Sequence, residues 1–315
     1  MPRTLKATNA DLGVNPVTWL LIAVQLITLS VAGLLILRLH LSITDWPAEA
    51  LAAINLGLLG GLWLYLFLVR GRSGSGECRV AETLLIFSLS ALYGAIVAIA
   101  QYPAIAIGLP YADPWLARAD AALGVNVVAL AHMTGAHPMP SRFMTAAYVS
   151  SIPQSTLTIV GLSLLGDRER LWEFAFHLHL LLAAALISVA LWPAVCPPAY
   201  YGFTPVIDMT RLIGQIRGFH DGSLTTIHLD QLEGLVSFPS FHAAGALMVI
   251  WAWRRRIWVA LPVLALNLCV LASTFMTGVH YVIDVIAAVP MFFGSVLVYR
   301  WWLRRFLGKP GLLLA

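Results

Sequence analysis

Three residues in the last quarter of the chain have types and spacing that can do chemistry: His242, His280 and Asp284. His280 and Asp284 stand four apart, hence on one helix face, so the carboxylate can bond one imidazole nitrogen and leave the other free to react. An imidazole oriented in that way is an activated nucleophile or base. Asp284 lies about one turn inside an otherwise apolar run, where an ionisable group is expensive and by default marks a site with a partner. His242 belongs to Phe238-Pro239-Ser240-Phe241-His242. Ser240 is a natural N-cap, and the helix it opens offers free N–H groups and a positive dipole end to an anion, most commonly phosphate. Two plainer readings stand beside these: a capping serine followed by an interfacial histidine, and a purely structural buried His–Asp pair.

What must position these residues is a set of long apolar runs. Of 315 residues, 60% are hydrophobic and 11% charged, against roughly 25% charged in a soluble globular protein, and mean hydropathy is +0.84. A water-soluble domain, a disordered chain and a disulfide scaffold are excluded. Cys78, Cys196 and Cys269 are isolated and lack metal-ligand spacing. Eight runs approach the roughly 20 residues a bilayer requires: 17–37, 51–69, 82–109, 143–165, 173–195, 240–253, 257–277 and 281–302. The sixth is short and precedes Arg254-Arg255-Arg256, which predicts extension into its flanks with the arginines reaching to the interface. The expected fold is all-α, a polytopic membrane helix bundle of about eight transmembrane helices, with 1–80 an N-terminal pair and 81–315 a core.

Alternating the connecting segments puts 14 Lys and Arg residues on one side and 5 on the other. Because cytoplasmic loops collect these residues, both termini are expected in the cytoplasm. The net charge of +4 therefore marks topology, and no nucleic-acid partner is expected. Even-numbered spans then run inward, which sets Ser240, His242 and His280 at one depth on the outer face, periplasmic or lumenal. Two outer segments are long. Residues 110–142 predict a short helix over 113–124, with Asp113 as cap, Pro114 in the first turn and Gly124 at the end. Its Trp115, Ala119 and Leu123 share a face, which reads as a helix lying on the outer leaflet or as a packing element between spans. Residues 196–239 are too long for a connector and suggest a functional loop or lid. Trp192-Pro193 and Cys196-Pro197-Pro198 stop the helix before it. His177 and His179, two apart on diverging faces, read as packing.

Pro239-Ser240-Phe241-His242 and Ser273…Gly278-Val279-His280-Tyr281…Asp284-Val285 resemble the second and third signature motifs of the type 2 phosphatidic acid phosphatase superfamily, in order and spacing, over roughly residues 140–302. The resemblance implies a six-helix phosphatase-like core, with His280 as nucleophile, Asp284 as its orienter and His242 as general acid. A phosphohistidine would pass its phosphoryl group to water or to an alcohol, without metal or cofactor. The first motif, with its lysine and Arg-Pro, has no counterpart: the lysines are Lys6 and Lys309, in the tails, and Thr274 stands where the third motif has an arginine. These departures, with Phe238-Pro239-Ser240-Phe241-His242-Ala243 and the proline segment before Tyr200, are similar to the inositol phosphorylceramide synthase branch.

A phosphoryl transition state spreads negative charge over three oxygens and calls for a cation. The outer arginines Arg211, Arg217 and Arg142 are the candidates for phosphate binding beside Ser240. Snorkelling or contact with lipid phosphates is the plainer reading of each. The expected partners are a lipid phosphate or phosphodiester substrate, a lipid-alcohol acceptor if the chain transfers rather than hydrolyses, and membrane lipids. An inactive lipid-phosphate binder would bind without phosphate release. A proton-coupled lipid transporter would move substrate with pH, a reading that the lack of internal repeats disfavours.

Overall fold

The computed structural model describes residues 15–44 and 76–307. Among them are eleven α-helices: α1 (Pro16–Arg38), α2 (Gly76–Ile105), α3 (Asp113–Ala122), α4 (Val127–Gly135), α5 (Pro138–Leu164), α6 (Arg168–Leu191), α7 (Pro197–Tyr201), α8 (Thr210–Asp221), α9 (Phe241–Trp253), α10 (Ile257–Met276) and α11 (Val282–Leu307). Two-residue strands β1 (Ser42–Ile43) and β2 (Thr226–Ile227) pair in parallel. The architecture is an all-α polytopic bundle. Sequence cues account for its boundaries. Asn15 Oδ1 accepts the Val17 N–H at 3.0 Å, with Pro16 opening α1, and α6 stops at Leu191, just before Trp192-Pro193.

Helix α6 is central. Its Trp172, Phe174, Ala175 and Leu181 are buried with Ile86 of α2, Ala243 and Met248 of α9, and Phe292 of α11. The buried histidines are structural on opposite sides of this helix. His177 Nδ1 meets Ser295 Oγ at 3.0 Å, whereas His179 meets Gln25 Nε2 at 3.0 Å and stacks on Tyr93.

Among the described residues five helices are long and apolar enough to cross a membrane: Pro16–Arg38, Val80–Ile105, Arg168–Leu191, Ile257–Met276 and Val282–Phe306. The remaining predicted spans differ. The second, 51–69, and Gly57, Gly60 and Gly61 within it, lie outside the described residues. The fourth is the 27-residue α5, long enough but diluted by polar residues that are used inside the bundle: Gln154 Oε1 accepts from Asn267 Nδ2 at 2.8 Å and Thr158 Oγ1 from Trp253 Nε1 at 3.3 Å. The sixth does not extend into its flanks. Helix α9 has 13 residues, about 20 Å at 1.5 Å per residue. The Ser240 cap ends it on one side. On the other, Arg254 turns onto Glu173 at 3.1 Å and over the Trp251 ring at 4.1 Å instead of reaching outward.

The two ends of the bundle are distinct. At one, Glu82 pairs with Arg168 and Asp167 with Arg256, joining segments that the alternation placed on one side. At the other, β1 follows α1 and pairs with β2 of the 196–239 segment. The same end gathers α3, α4 and the α10–α11 turn. Helices α3 and α4 meet at 84°; the second of them was not expected from sequence. Nor is the packed face of α3 that of Trp115, Ala119 and Leu123: Leu123 is 51% exposed, and the buried residues are Asp113, Leu116, Ala117 and Asp120. Asp113 does not cap its own helix either, since Ala112 holds that place.

Candidate active site

Each site residue is placed by a local device. Ser240 caps α9, its Oγ accepting the Ala243 N–H at 3.3 Å and its carbonyl the Ala244 N–H at 3.1 Å. Neither the Phe241 nor the His242 N–H is engaged by Ser240, so the opening of α9 keeps donors and its positive dipole end for a ligand. His242, in the first turn, is oriented by stacking: its ring lies 4.1 Å from that of Tyr148 on α5, at 26°.

His280 is not on the helix that holds Asp284. It sits in the turn after Gly278, whose φ of +80° reverses the chain out of α10. The i, i+4 contact forms nonetheless, because Asp284 is the third residue of α11 and folds back over the helix start. Its Oδ2 accepts the Tyr281 N–H at 3.0 Å and faces His280 Nδ1 at 3.2 Å. That is the reach-back half of a capping box, here shared with an imidazole. The Thr274 carbonyl accepts the His280 N–H at 3.0 Å, and the Asp284 carbonyl accepts the Ser240 N–H at 3.1 Å, which ties the two motif segments together. Asp284 is fully buried and His280 nearly so.

The two imidazoles meet across a small pocket, with ring centroids 6.1 Å apart. Tyr148, Cys196 and Ser237 share its lining with apolar residues, among them Leu212 and Ile216 of α8. Burial pushes the Cys196 thiol up to about 12, so it is neutral at physiological pH and no rival nucleophile. Ser237 Oγ is buried without a hydrogen-bond partner.

The structure thus brings together Ser240, His242, His280 and Asp284, and leaves the three arginines outside. Among the described residues that line the pocket there is neither lysine nor arginine. Arg211 pairs with Glu233, Arg217 donates to the Ala199 carbonyl at 3.2 Å, and both are exposed on α8 beside the lining Leu212 and Ile216. Arg142 is exposed near the start of α5. Thr274 does not replace the missing arginine as a donor, because its hydroxyl is spent on the Leu271 carbonyl of its own helix. Among the described residues no three of His, Cys, Asp and Glu are grouped to hold a metal ion.

Sequence reasoning missed Tyr148 and Ser237, for which no spacing gave a signal, and the carboxylates of α3, for which one did. Asp113 and Asp120 are seven apart, two full turns, and so share a helix face with Leu116 and Ala117. Both are buried.

No curated protein and no solved structure matches the chain. A sequence model of the PAP2 superfamily matches residues 114–298, which span α3 to most of α11 and contain every group that lines the histidine pocket. With two motif histidines converging on one cavity and well over half of the chain matched, this integral membrane protein belongs to the PAP2 superfamily.

Proposed function

We propose that the chain is a lipid phosphoesterase or phospho-headgroup transferase working through His280. Superfamily membership supports a lipid-phosphatase type of function. The observation that carries the finer reading is the 6.1 Å separation of the His242 and His280 rings, which lets one tetrahedral phosphorus centre touch a nitrogen of each. The His280 nitrogen remote from Asp284 attacks phosphorus, and the P–O bond to the leaving group breaks. His242, entering protonated, gives its proton to the leaving oxygen. Water or an alcohol then attacks phosphorus, the P–N bond breaks, and the proton of the acceptor returns to His242. Asp284 orients His280 and balances the imidazolium charge that develops. These steps use protein groups alone.

Transition-state charge is met by the N–H groups at the opening of α9, which Ser240 organises. Arg211 and Arg217, on the helix that walls the pocket, serve at its rim by meeting the phosphate of an incoming lipid, with Arg142 as a more distant contact. The pocket wall of Leu212, Ile216, Leu235 and Val279 suits an acceptor held away from water. That supports headgroup transfer to a lipid alcohol, as in the inositol phosphorylceramide synthase branch. The site faces the outer side of the membrane.

The test is product analysis on the purified chain in vesicles containing phosphatidic acid or phosphatidylinositol, with and without ceramide. Phosphate release or headgroup transfer is expected, together with an acid-labile, base-stable phosphoenzyme that H280N abolishes. Substantial residual turnover in H280N overturns its role as nucleophile. A pocket without a lysine or arginine also favours one rival, a site that binds lipid phosphate without chemistry. Saturable binding of these lipids with neither product nor phosphoenzyme would establish that reading instead.

A further inference from the structure

The turn that carries His280 is held from outside by two buried carboxylates on α3. Asp120 Oδ2 accepts the Val282 N–H at 2.9 Å, and its Oδ1 accepts the Ile283 N–H at 2.8 Å. These are the first two N–H groups of α11, and they have no partner within a helix. Asp113 Oδ1 accepts the Tyr281 hydroxyl at 3.0 Å and the Cys196 N–H at 3.0 Å, while Oδ2 accepts the Val195 N–H at 2.8 Å. Asp120 is 1% exposed and Asp113 2%. Tyr281, between the two grips and next to His280, is fully buried.

Both carboxylates of α3 are therefore spent on two strips of chain that border the pocket, 195–196 and 281–283. A charge-assisted hydrogen bond is about twice as strong as a neutral one, and here five converge on three consecutive residues of the nucleophile segment and two of the opposite wall. The start of α11 is consequently closed: Asp120 takes its first two N–H groups, and the Tyr281 carbonyl takes that of Asp284 at 3.2 Å. An anion cannot bind there, so phosphate is left to the opening of α9.

We propose that Asp120 and Asp113 are positioning residues for the nucleophile, with α3 acting as a brace that sets the His280 ring against His242. The proposal rests on the reading of His280 as the attacking group. Neither carboxylate touches substrate. Asp120 acts through the backbone of the helix whose first turn contains Asp284, and Asp113 through the Tyr281 hydroxyl and the backbone of the Val195–Cys196 wall.

The test uses the full chain in vesicles, comparing D120N and Y281F with the parent. An asparagine keeps one acceptor and turns an NH2 group toward a backbone N–H. Phenylalanine keeps the buried ring and removes only the hydroxyl that Asp113 holds. For D120N we expect kcat to fall about 10- to 100-fold with KM within about twofold, the size of loss that a misplaced reacting group produces. Y281F should show a smaller loss of the same kind. Amide hydrogen exchange should accelerate in 278–286 while the rest of the bundle keeps the protection of the parent.

Turnover of D120N within twofold of the parent, when the protein is folded, overturns the proposal. So does a loss of folding in both variants, which would make α3 a general stability element. If the parent itself turns over neither phosphatidic acid nor phosphatidylinositol, the catalytic reading fails separately. The exchange measurement then decides alone, and unchanged exchange over 278–286 in D120N refutes the brace.

Discussion

His242 and His280 are both imidazoles, yet their surroundings differ in the way the separate roles we propose for them require. His280 is locked by a carboxylate, a backbone bond and near-complete burial, as an attacking group needs to be. His242 has a stacked ring as its support, at the opening of a helix where a leaving oxygen can reach it. The difference predicts a leaving-group effect. With an alkyl or glycerol leaving group, H242Q should lose about 10²- to 10⁴-fold in kcat, the usual worth of a general acid. With p-nitrophenyl phosphate esters, whose leaving group needs no proton, the loss should be much smaller. Equal losses on both substrates would remove His242 from the role of acid. At this scale the sequence was informative, because His242 and His280 line one pocket, with Asp284 bonded to His280 and Ser240 capping the helix that carries His242. It was least informative for the arginines. Charge and side of the membrane nominated them, and the side chains of Arg211 and Arg217 turn to Glu233 and the Ala199 carbonyl instead.

Elements convert those residues into a site through their ends. Helices α9 and α11 both begin at the pocket but are finished differently: α9 by its own serine, which leaves donors open, and α11 by an aspartate from another helix, which closes it. Gly278 makes the second arrangement possible. It holds φ +80°, and an added Cβ would stand 2.9 Å from Ala131 Cβ and 2.9 Å from Phe203 Cε2. The left-handed conformation alone costs an L-residue about 1–2 kcal/mol. G278A should therefore lower the thermal midpoint and reduce turnover together, because the strain is relieved by moving the turn that holds His280. Wild-type turnover in a destabilised G278A would show that the turn tolerates displacement. Helical periodicity located these elements but misjudged α3, since an aspartate on a membrane-protein helix reads as facing water when its backbone partners lie 82 to 163 residues away in sequence.

For the whole molecule the arrangement is sided. Ion pairs of Glu82, Asp167 and Glu173 with arginines mark one end, and the strand pair, α3 and the histidine pocket mark the other. Taking the end richer in positive residues as cytoplasmic, we propose that the pocket faces outward. Cysteine labelling in intact cells checks it, with the parent chain as background. L123C, at the pocket end and 51% exposed, should react with an impermeant maleimide from outside. R305C, exposed near the end of α11, should react only after permeabilisation. The reverse pattern would turn the pocket to the cytoplasm, and labelling of both from one side would refute a spanning bundle between them.

Length and hydropathy by themselves determined that this chain is a bundle of membrane helices, because burial of apolar runs in lipid follows from composition and needs no knowledge of neighbours. Two short motifs likewise picked out the groups we propose to react, since a capping serine and an i, i+4 His–Asp pair are local. Only the tertiary structure decided what closes the start of α11, what orients His242 and which cations stay out of the pocket. Each of those depends on residues far apart in sequence, where local pattern carries no information about which hydrogen bonds the folded chain will complete.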